Sequence, residues 1–307
     1  MILTCGEALI DMLPRETTEG EAAFAPYPGG AVFNTAIGLG RLGVDTQFFC
    51  GMSSDFLGDV LRDALEASKV DHSPSPAMDA PCTVAFVKLV DGQATYAFYD
   101  ENSAMRTVPG APDVTADALF FGGISLVGDG CGDIYEAMML DQSAARVTMI
   151  DPNVRPSFIR DEAAYRARIT RMMGAADVIK LSDEDLHWLE GDGDLAALAR
   201  GLVAKGAKLV CITEGAKGVT GYTADHTVFV AAEKAQVVDT VGAGDTFNAG
   251  LLAGLDRAGC LTKARIASLG DGEIRDALTL GVKAAAITVS RAGANPPWSH
   301  EMEADEV

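Results

Sequence analysis

Short strand-like runs alternate with segments of helical periodicity along most of this 307-residue chain. The apolar run 46–50 is followed by a helical pattern over 56–67, and the run 147–151 is followed by one over 162–173. Alternation of this kind is typical of a parallel sheet that is covered by helices. Because nothing resembling an interdomain linker interrupts it, the pattern predicts a single α/β domain over residues 1–307.

One region departs from this alternation. Residues 82–100 contain two strand-like runs joined by Asp91-Gly92, a sequence typical of a two-residue hairpin turn. A hairpin cannot form part of a β-α-β crossover, so the pair is predicted to join an extended stretch near 24–27 in a small antiparallel sheet. We expect this sheet to be a lid formed by about 12–28 and 82–105.

The segment 237–247 reads VVDTVGAGDTF and runs into a helical pattern over 248–255. It combines an extended stretch, a tight glycine turn and the start of a helix. The N–H groups of Gly242, Ala243 and Gly244 are expected to converge there with the positive end of the helix dipole, an arrangement that binds oxyanions. The segment therefore predicts a phosphate site.

Asp245 lies in the first turn of the helix that this segment opens. A carboxylate there is close enough to accept the proton of a hydroxyl group that attacks a phosphoryl group held by the neighbouring N–H groups. An aspartate at a helix N-terminus also stabilises the helix by about 0.5–1 kcal/mol, so the position alone leaves both roles open.

A second glycine motif, Gly38-x-Gly40-x-x-Gly43, has the letters of a dinucleotide-binding loop. Such a loop follows a strand and opens a helix, whereas here a helical pattern over 34–42 comes before the last glycine and a strand follows it. Gly43 is therefore predicted to end a helix. The sequence also lacks G-x-x-x-x-G-K-[ST], which excludes a P-loop as the phosphate site.

Composition limits the partners of the protein. Its 24 Lys and Arg against 44 Asp and Glu give a net charge of −20, which repels nucleic acid and anionic membranes. A nucleotide ligand is still compatible with this net charge, because phosphate sites are built locally.

The expected location follows from the start of the sequence, its apolar runs and its cysteines. The start lacks a basic region and no apolar run approaches the roughly 20 residues that span a bilayer. With six cysteines and no C-x-x-C, we expect a cytoplasmic protein with buried free thiols.

The segment 239–247 resembles the C-terminal signature D-T-x-G-A-G-D-x-F of the ribokinase-like (PfkB) family of carbohydrate kinases. Four more stretches resemble motifs of that family in the same order along the chain. They are GEALID at 6–11, PGG at 28–30 with Asn34, DPNVR at 151–155 and TEGAKG at 213–218. The stretch 6–11 resembles the family's first strand, with Asp11 at its end. The resemblance implies a ribokinase-like three-layer α/β/α sandwich with a mainly parallel central sheet and a small antiparallel β lid.

The resemblance also implies an ATP-dependent sugar kinase in which Asp245 is the catalytic base and the backbone of Gly242, Ala243 and Gly244 is the anion hole. The sugar would be bound by Asp11, Gly29, Gly30, Asn34, Phe98, Asn153, Arg155 and Asp245. The nucleotide would be bound by Lys180, Ser182, Thr213, Glu214, Gly215, Gly218, Gly242 and Gly244. The residues alone also allow Asp11 to cap a turn, Arg155 and Lys180 to lie at the surface, and 213–218 to be a plain turn.

Metal handling is where the sequence departs from the family pattern. Many members carry N-x-x-E before the nucleotide site, whereas residues 182–185 read S-x-x-D. Asp185 is expected to hold Mg²⁺ through water, because Mg²⁺ usually keeps several waters. The family also uses a monovalent cation such as K⁺ beside the anion site. The matching positions are Asp239, Val241, Thr288, Arg291 and Gly293.

Within the family, the stretches FFGGISL at 120–126 and YAFY at 96–99 resemble fructokinases more than ribokinases. Ala31 also stands where ribokinases have a lysine, and Leu9 where they have an asparagine. Fructose, phosphorylated to fructose 6-phosphate, is therefore the expected substrate. The main alternative is 2-keto-3-deoxygluconate, but residues 99–102 offer acidic groups where that acidic sugar would want cations. A ribokinase, a nucleoside kinase and a non-catalytic sugar sensor are the further alternatives.

The predicted lid also bears on assembly. Its strands would expose their edges, and they alternate apolar residues such as Val84, Phe86, Tyr96 and Phe98. Exposed edges and apolar faces of this kind pair with other chains. We therefore expect a homodimer through the β lid.

Overall fold

We describe the protein from a computed structural model. The description covers residues 1–90 and 93–303 and does not include the side chains of 88–96. The predicted Asp91-Gly92 turn and the Tyr96 side chain therefore lie outside the described residues.

A mainly parallel sheet forms the middle layer. The strands along the chain are β1 (Ile2–Cys5), β2 (Leu9–Glu16), β3 (Ala22–Gly29), β4 (Thr46–Phe49), β5 (Met52–Ser53), β6 (Ala77–Met78), β7 (Val84–Val90), β8 (Gln93–Tyr99), β9 (Ala118–Gly122), β10 (Val147–Asp151), β11 (Val178–Ser182), β12 (Leu209–Thr213), β13 (Gly218–Tyr222) and β14 (Thr227–Ala231). Eight of them form one sheet in the order β14-β13-β12-β11-β10-β9-β1-β4. The six strands from β12 to β4 run parallel, and β13 and β14 are added antiparallel at one edge.

Helices cover both faces of this sheet. They are α1 (Ala31–Arg41), α2 (Phe56–Ala67), α3 (Cys131–Gln142), α4 (Glu162–Ala175), α5 (Asp183–Glu190), α6 (Leu195–Ala204), α7 (Ala243–Arg257), α8 (Lys263–Ile266) and α9 (Asp271–Val289). Short 3₁₀ turns lie at Ala104–Thr107, Gly123–Leu126, Pro156–Phe158, Gly215–Lys217 and Ser299–Glu301.

Alternate residues of the strands supply two separate hydrophobic cores. Phe120 and Met149 belong to the core under α1, α2, α7, α8 and α9, whereas Phe121 and Ile150 belong to the core under α3 to α6. Strands buried on both faces are expected in a parallel sheet and explain their continuous apolar sequences. The predicted three-layer α/β/α sandwich is confirmed.

The glycine motif at 38–43 belongs to α1 and its end. Gly38 and Gly40 are helical, and a Cβ built on Gly38 would lie 2.7 Å from the Cβ of Ala249. Gly43 follows the helix with φ +84°, a conformation that glycine adopts readily. The prediction that Gly43 ends a helix is confirmed.

A second sheet stands apart from the central one and consists of β3, β2, β7 and β8 in that order. Its two outer pairs are antiparallel, as expected, and its central β2–β7 pair is parallel. Asp11, Ala85 and Phe98 are paired in one row across three of its strands. Paired residues point to the same face, so this row lies on one side of the sheet.

The interpretation of 6–11 as one first strand that ends at Asp11 is wrong. β1 ends at Cys5, and Asp11 is the third residue of β2 in the small sheet. The chain leaves the central sheet at Gly6, where a Cβ would lie 2.3 Å from Val32, and at the buried Glu7. The chain therefore crosses to the small sheet at the point where it packs closely against α1.

Within residues 1–90 and 93–303, no helix combines the length and the apolar character needed to cross a bilayer. All six cysteines are free and buried, as predicted.

Helices α7 and α9 approach each other through glycine. A Cβ built on Gly250 would lie 2.6 Å from the Gly281 Cα. We expect Gly250→Ala to push the helices apart and to lower the free energy of unfolding by about 1–3 kcal/mol, the usual cost of overpacking. Gly201 in α6 is the matched control, because a Cβ added there would have nothing within 4 Å. Gly201→Ala should stabilise by about 0.5–1 kcal/mol through helix propensity, and equal effects in urea unfolding would contradict the close packing.

Candidate active site

Three parallel strands end on polar residues at the same edge of the central sheet. Asp151 ends β10, Ser182 ends β11 and Thr213 ends β12, with Ser182 and Thr213 paired in register. Open α/β sheets bind ligands at the carboxyl ends of their strands. Helix α7 meets this edge, because its Asn248 Nδ2 donates a hydrogen bond of 2.7 Å to Asp151 Oδ2.

The glycine turn before α7 has the predicted geometry with one difference. Gly242 is the N-cap residue with φ +78°, and a Cβ there would lie 2.6 Å from the Ala294 Cβ, so only glycine fits. The Ala243 N–H donates to the Thr240 carbonyl over 3.4 Å, so it is engaged within the turn and is not free as predicted. The N–H groups of Gly242 and Gly244 have no acceptor in the described part of the chain. They remain to bind an oxyanion.

Asp245 lies in the first turn of α7 and is only 8% exposed. Its Oδ2 accepts a hydrogen bond of 2.9 Å from Asn34 Nδ2, and its main-chain oxygen accepts one of 3.1 Å from Thr35 Oγ1. Burial raises the pKa of Asp245 to about 7, Asp151 adds to the shift, and the Asn34 hydrogen bond and Lys180 oppose it. A carboxyl group with a pKa near neutrality is suited to general-base catalysis.

A buried ion pair stands beside the anion hole. Lys180 Nζ donates to Asp151 Oδ2 over 2.9 Å, and both side chains are buried. Burial lowers the pKa of Lys180, but the surrounding carboxylates outweigh it and the net pKa shift is upward. A Cβ on Gly244 would lie 3.3 Å from Nζ. The ammonium group therefore lies next to the predicted phosphate site, and the surface position that the sequence also allowed for Lys180 is excluded.

The small sheet contributes Asp11, Gly29 and Phe98. Asp11 accepts no hydrogen bond from the described residues, and burial raises its pKa to about 6. A Cβ on Gly29 would lie 2.4 Å from Asp11 Oδ2, so this glycine leaves room for the carboxylate. The Phe98 ring meets the Phe158 ring at 4.9 Å. An unpaired carboxylate and an apolar ring in one row are suited to the hydroxyl groups and carbon face of a sugar.

The DPNVR segment follows β10 at the carboxyl edge of the sheet. Asn153 adopts φ +45°, and its N–H donates to Asp151 Oδ1 over 3.1 Å. Arg155 is exposed and its guanidinium donates to the Val154 carbonyl over 3.0 Å. It is nevertheless close enough to Asp185 for its charge to oppose the rise in the pKa of that carboxyl group.

The S-x-x-D segment is a helix cap. Ser182 Oγ accepts a hydrogen bond of 3.0 Å from the Asp185 N–H at the start of α5, a common stabilising arrangement. The Asp185 side chain is buried, and burial together with the charge of Asp151 raises its pKa. Ser182 is thus engaged in capping, whereas the Asp185 carboxylate lies near Asp151.

The predicted nucleotide loop follows β12 at the same edge. Gly215 and Gly218 have φ +53° and +128° on either end of a 3₁₀ turn, so backbone geometry explains both glycines. Glu214 pairs with the exposed Lys217 at 3.0 Å. Thr213 and this turn lie beside Ser182 through the β11–β12 pairing.

The predicted monovalent-cation positions come together only in part. Asp239 accepts hydrogen bonds from the N–H groups of Val241 at 3.0 Å and Gly293 at 2.9 Å. The Thr288 hydroxyl donates within α9, and Arg291 pairs with an acidic residue near the C-terminus. Among the described residues, no group of three or more His, Cys, Asp or Glu side chains has the geometry of a metal site.

The glycine turn before α7 and the buried Asp245 thus lie at the carboxyl edge of the central sheet, where Asn34 joins them to α1. The family model for pfkB family carbohydrate kinases matches residues 1–301. The chain belongs to the pfkB family of carbohydrate kinases. This membership confirms the resemblance drawn from the motifs.

Individual relatives of this pfkB-family chain agree with that assignment. A fructokinase from Rhizobium leguminosarum bv. trifolii is 55% identical over 280 residues, which cover 90% of this chain and 86% of the relative. The crystal structure of a fructokinase with bound ATP from Xylella fastidiosa has a TM-score of 0.89 at 28% identity and covers 98% of this chain and 97% of that one. A fructokinase from Vibrio cholerae O395 in a fructose, ADP and calcium ion bound form shares the fold, with a TM-score of 0.80 at 23% identity over 95% and 94% of the two chains.

Two residues of this pfkB-family site were missed by sequence reasoning. Glu7 accepts hydrogen bonds from the N–H groups of Ala31 at 2.8 Å and Ser125 at 3.1 Å, so it ties the start of α1 to the 3₁₀ turn after β9. A lone glutamate in an apolar run was its only signal, since a buried charge needs partners. Asn248 binds Asp151, and its Oδ1 is buried without a partner in the described residues. Its spacing of three residues from Asp245 was the available signal.

Asp245→Asn tests the burial of the carboxylate. The folded pKa of about 7 lies above the roughly 3.9 of an unfolded aspartate. The stability contributed by the protonated form is therefore present below about pH 4 and is lost as the pH rises through 7. The amide does not titrate. The unfolding free energy of the variant minus that of wild type should therefore increase by about 2–3 kcal/mol from about pH 5 to about pH 8.

Urea unfolding at these two pH values measures this gain. Asp225→Asn, which removes an exposed charge outside the site, is the control for loss of charge alone. An Asp245→Asn difference that is the same at both pH values would contradict the raised pKa.

Proposed function

We propose that this pfkB-family kinase transfers the γ-phosphoryl group of ATP to a hydroxyl group of fructose, with Asp245 as the base. One observation carries the proposal: the buried Asp245 carboxylate, bound by Asn34, lies in the same helical turn whose Gly242 and Gly244 N–H groups lack acceptors in the described chain. The group that would accept the proton and the groups that would bind the phosphoryl group therefore lie next to each other. The 55% identity to a fructokinase supports fructose as the acceptor.

The reaction follows from this arrangement. The fructose hydroxyl oxygen forms a bond to the γ-phosphorus, the bond from that phosphorus to the β-γ bridging oxygen breaks, and ADP leaves. The hydroxyl proton moves to Asp245. Asn34 already donates to Oδ2, which leaves Oδ1 without a hydrogen bond from the described residues. The Gly242 and Gly244 N–H groups and the Lys180 ammonium offset the charge of the transferring group.

The lid orients the sugar in this proposal. Asp11 accepts hydrogen bonds from sugar hydroxyl groups, because its carboxylate has no partner among the described residues. Phe98 packs on the carbon face from the same row of the small sheet. The backbone of Gly29 and Gly30 closes the site next to Asp11, and transfer to the 6-hydroxyl group gives fructose 6-phosphate.

Cations complete the nucleotide side. We assign Mg²⁺ to Asp185 through water, because Mg²⁺ binds one or two carboxylates together with phosphates. A cation there would offset the buried negative charges of Asp185 and Asp151, whose mutual repulsion adds to the raised pKa of Asp185. When bound, Mg²⁺ neutralises charge on the phosphates. We assign K⁺ to the loops around Val241 and Gly293, which Asp239 ties together beside the anion hole.

An assay of ADP release tests the function with fructose, 2-keto-3-deoxygluconate, ribose and adenosine. We expect the highest kcat/KM with fructose. Asp245→Asn should lower kcat by about 10²–10⁴-fold, the usual contribution of a general base. Asp225→Asn is the control outside the site. A kcat for Asp245→Asn above about a hundredth of wild type would remove Asp245 from the role of base, and a clear preference for another acceptor would overturn fructose.

Six buried free cysteines support a reducing compartment for this activity. We therefore place the enzyme in the cytoplasm.

We also propose a homodimer through the small sheet, whose edge strands are β3 and β8. The face opposite Asp11 and Phe98 carries Phe24, Phe86 and Tyr99, which make edge-to-face contacts at 5.1 and 5.8 Å. Phe24 is 48% exposed and Tyr99 is 63% exposed. Aromatic residues are enriched at protein interfaces, so this outer cluster is suited to a second copy of the chain.

Light scattering after gel filtration measures the assembly. We expect wild type at twice the 32.0 kDa chain mass, and the double variant Phe24→Lys and Tyr99→Lys at the chain mass, because buried lysine ammonium groups oppose association. Phe229→Lys is the matched control, since Phe229 is a similarly exposed aromatic residue on β14. A wild-type monomer at micromolar concentration would contradict the dimer.

A further inference from the structure

Asp100 and Arg106 form an ion pair in the wall of a cavity beside the lid. The cavity has a volume of about 490 Å³ and lies between the end of β8, the loop after β9 and the start of α4. Phe98 and Phe158 also line it. Because Phe98 shares a row of the small sheet with Asp11, the cavity borders the site proposed for the sugar.

All three nitrogen atoms of the Arg106 guanidinium group donate hydrogen bonds within the chain. Arg106 Nε and Nη2 donate to the same Asp100 Oδ2 over 2.9 and 2.6 Å, and Nη1 donates to the Val127 carbonyl over 2.6 Å. Both side chains are mostly buried. An arginine held in this way is not available to a ligand, and Asp100 cancels its charge.

The second arginine of the buried wall is also compensated within the chain. Arg168 donates to two main-chain carbonyl groups and pairs with Asp133 and Glu136. At the exposed rim, Arg160 stands among three carboxylates, those of Glu101, Asp129 and Asp161. The buried wall therefore presents no uncompensated cation among the described residues.

We propose that the Asp100–Arg106 pair makes the site selective for neutral over acidic sugars, an inference that rests on the proposed sugar-kinase function. A sugar carboxylate that enters the cavity is desolvated there and finds the Arg106 charge already cancelled by Asp100, so it gains no cationic partner. A neutral sugar has no charge to desolvate. Removing the Asp100 charge releases an arginine fork, which binds carboxylates with two parallel hydrogen bonds.

Asp100→Asn removes the charge and keeps the shape. The measurement is kcat/KM for fructose and for 2-keto-3-deoxygluconate, and the ratio of the two. We expect the ratio of kcat/KM for fructose to kcat/KM for the acidic sugar (the fructose-to-acid ratio) to fall by about tenfold or more. The fall should come from a lower KM for the acidic sugar, and this KM should rise again when salt is added. A purely structural role would lower both activities alike, so a ratio within about twofold of wild type overturns the proposal.

Arg106→Gln gives the opposite test and stays informative if Asp100→Asn does not fold. It leaves the Asp100 charge uncompensated, so the ratio should rise by about tenfold. An unchanged or lower ratio overturns the proposal. Asp129→Asn is the matched control, because it removes a negative charge from the exposed rim of the same cavity. If it lowers the ratio as much as Asp100→Asn does, the overall charge and not the ion pair sets selectivity.

Failure of this proposal is distinct from failure of the proposed function. A wild-type protein inactive on fructose overturns fructose as the substrate. The ratio of kcat/KM is then measured for the neutral sugar that the ADP-release assay identifies, such as ribose, over 2-keto-3-deoxygluconate. The response of this ratio to Asp100→Asn supports or overturns the ion-pair proposal independently.

Discussion

The buried ion pair between Lys180 and Asp151 stands where β10, β11 and α7 meet. Removing one partner of such a pair typically costs about 3–5 kcal/mol, because the other charge is left buried without compensation. Asp151 also accepts a hydrogen bond from Asn248, which fixes how α7 is turned about its axis and therefore where Asp245 lies, one turn earlier. Burial is the main cause of the raised pKa of Asp245, to which Asp151 adds and which Lys180 opposes. The same pair therefore helps to set both the position and the proton affinity of the proposed base.

This local balance explains how a chain with a net charge of −20 is compatible with an anionic cosubstrate. Of the carboxylates nearest the anion hole, Asp151 is paired with Lys180 and Asp245 accepts a hydrogen bond from Asn34. The positive end of α7 and two N–H groups without acceptors in the described chain face the same point. At the distances of direct contact, such fixed groups outweigh surface charge that is screened over about 10 Å.

Features encoded by neighbouring residues could be predicted from the sequence. The left-handed turn at Gly242 and the helix that follows it occupy a few consecutive residues, and the parallel sheet follows from alternating local patterns. Features that depend on distant partners could not. Asp11 was assigned to the first strand, whereas β1 ends at Cys5 and the chain crosses to the small sheet next to Val32 of α1. Glu7 finds its partners 24 and 118 residues away. The S-x-x-D segment was interpreted through metal chemistry, although Ser182 forms a cap that any helix start can use.

The two faces of the small sheet have different environments within single strands. In β8, Phe98 lies in the row with Asp11, and the next residue, Tyr99, belongs to the outer aromatic cluster. Because side chains alternate, a shift of one residue would exchange every inward residue with an outward one. The alternation of inward and outward residues in these strands is therefore under a tighter constraint than the identity of the residues. A single-residue insertion within β8 is more disruptive than most substitutions there. Changes in length are better tolerated in the connections between strands.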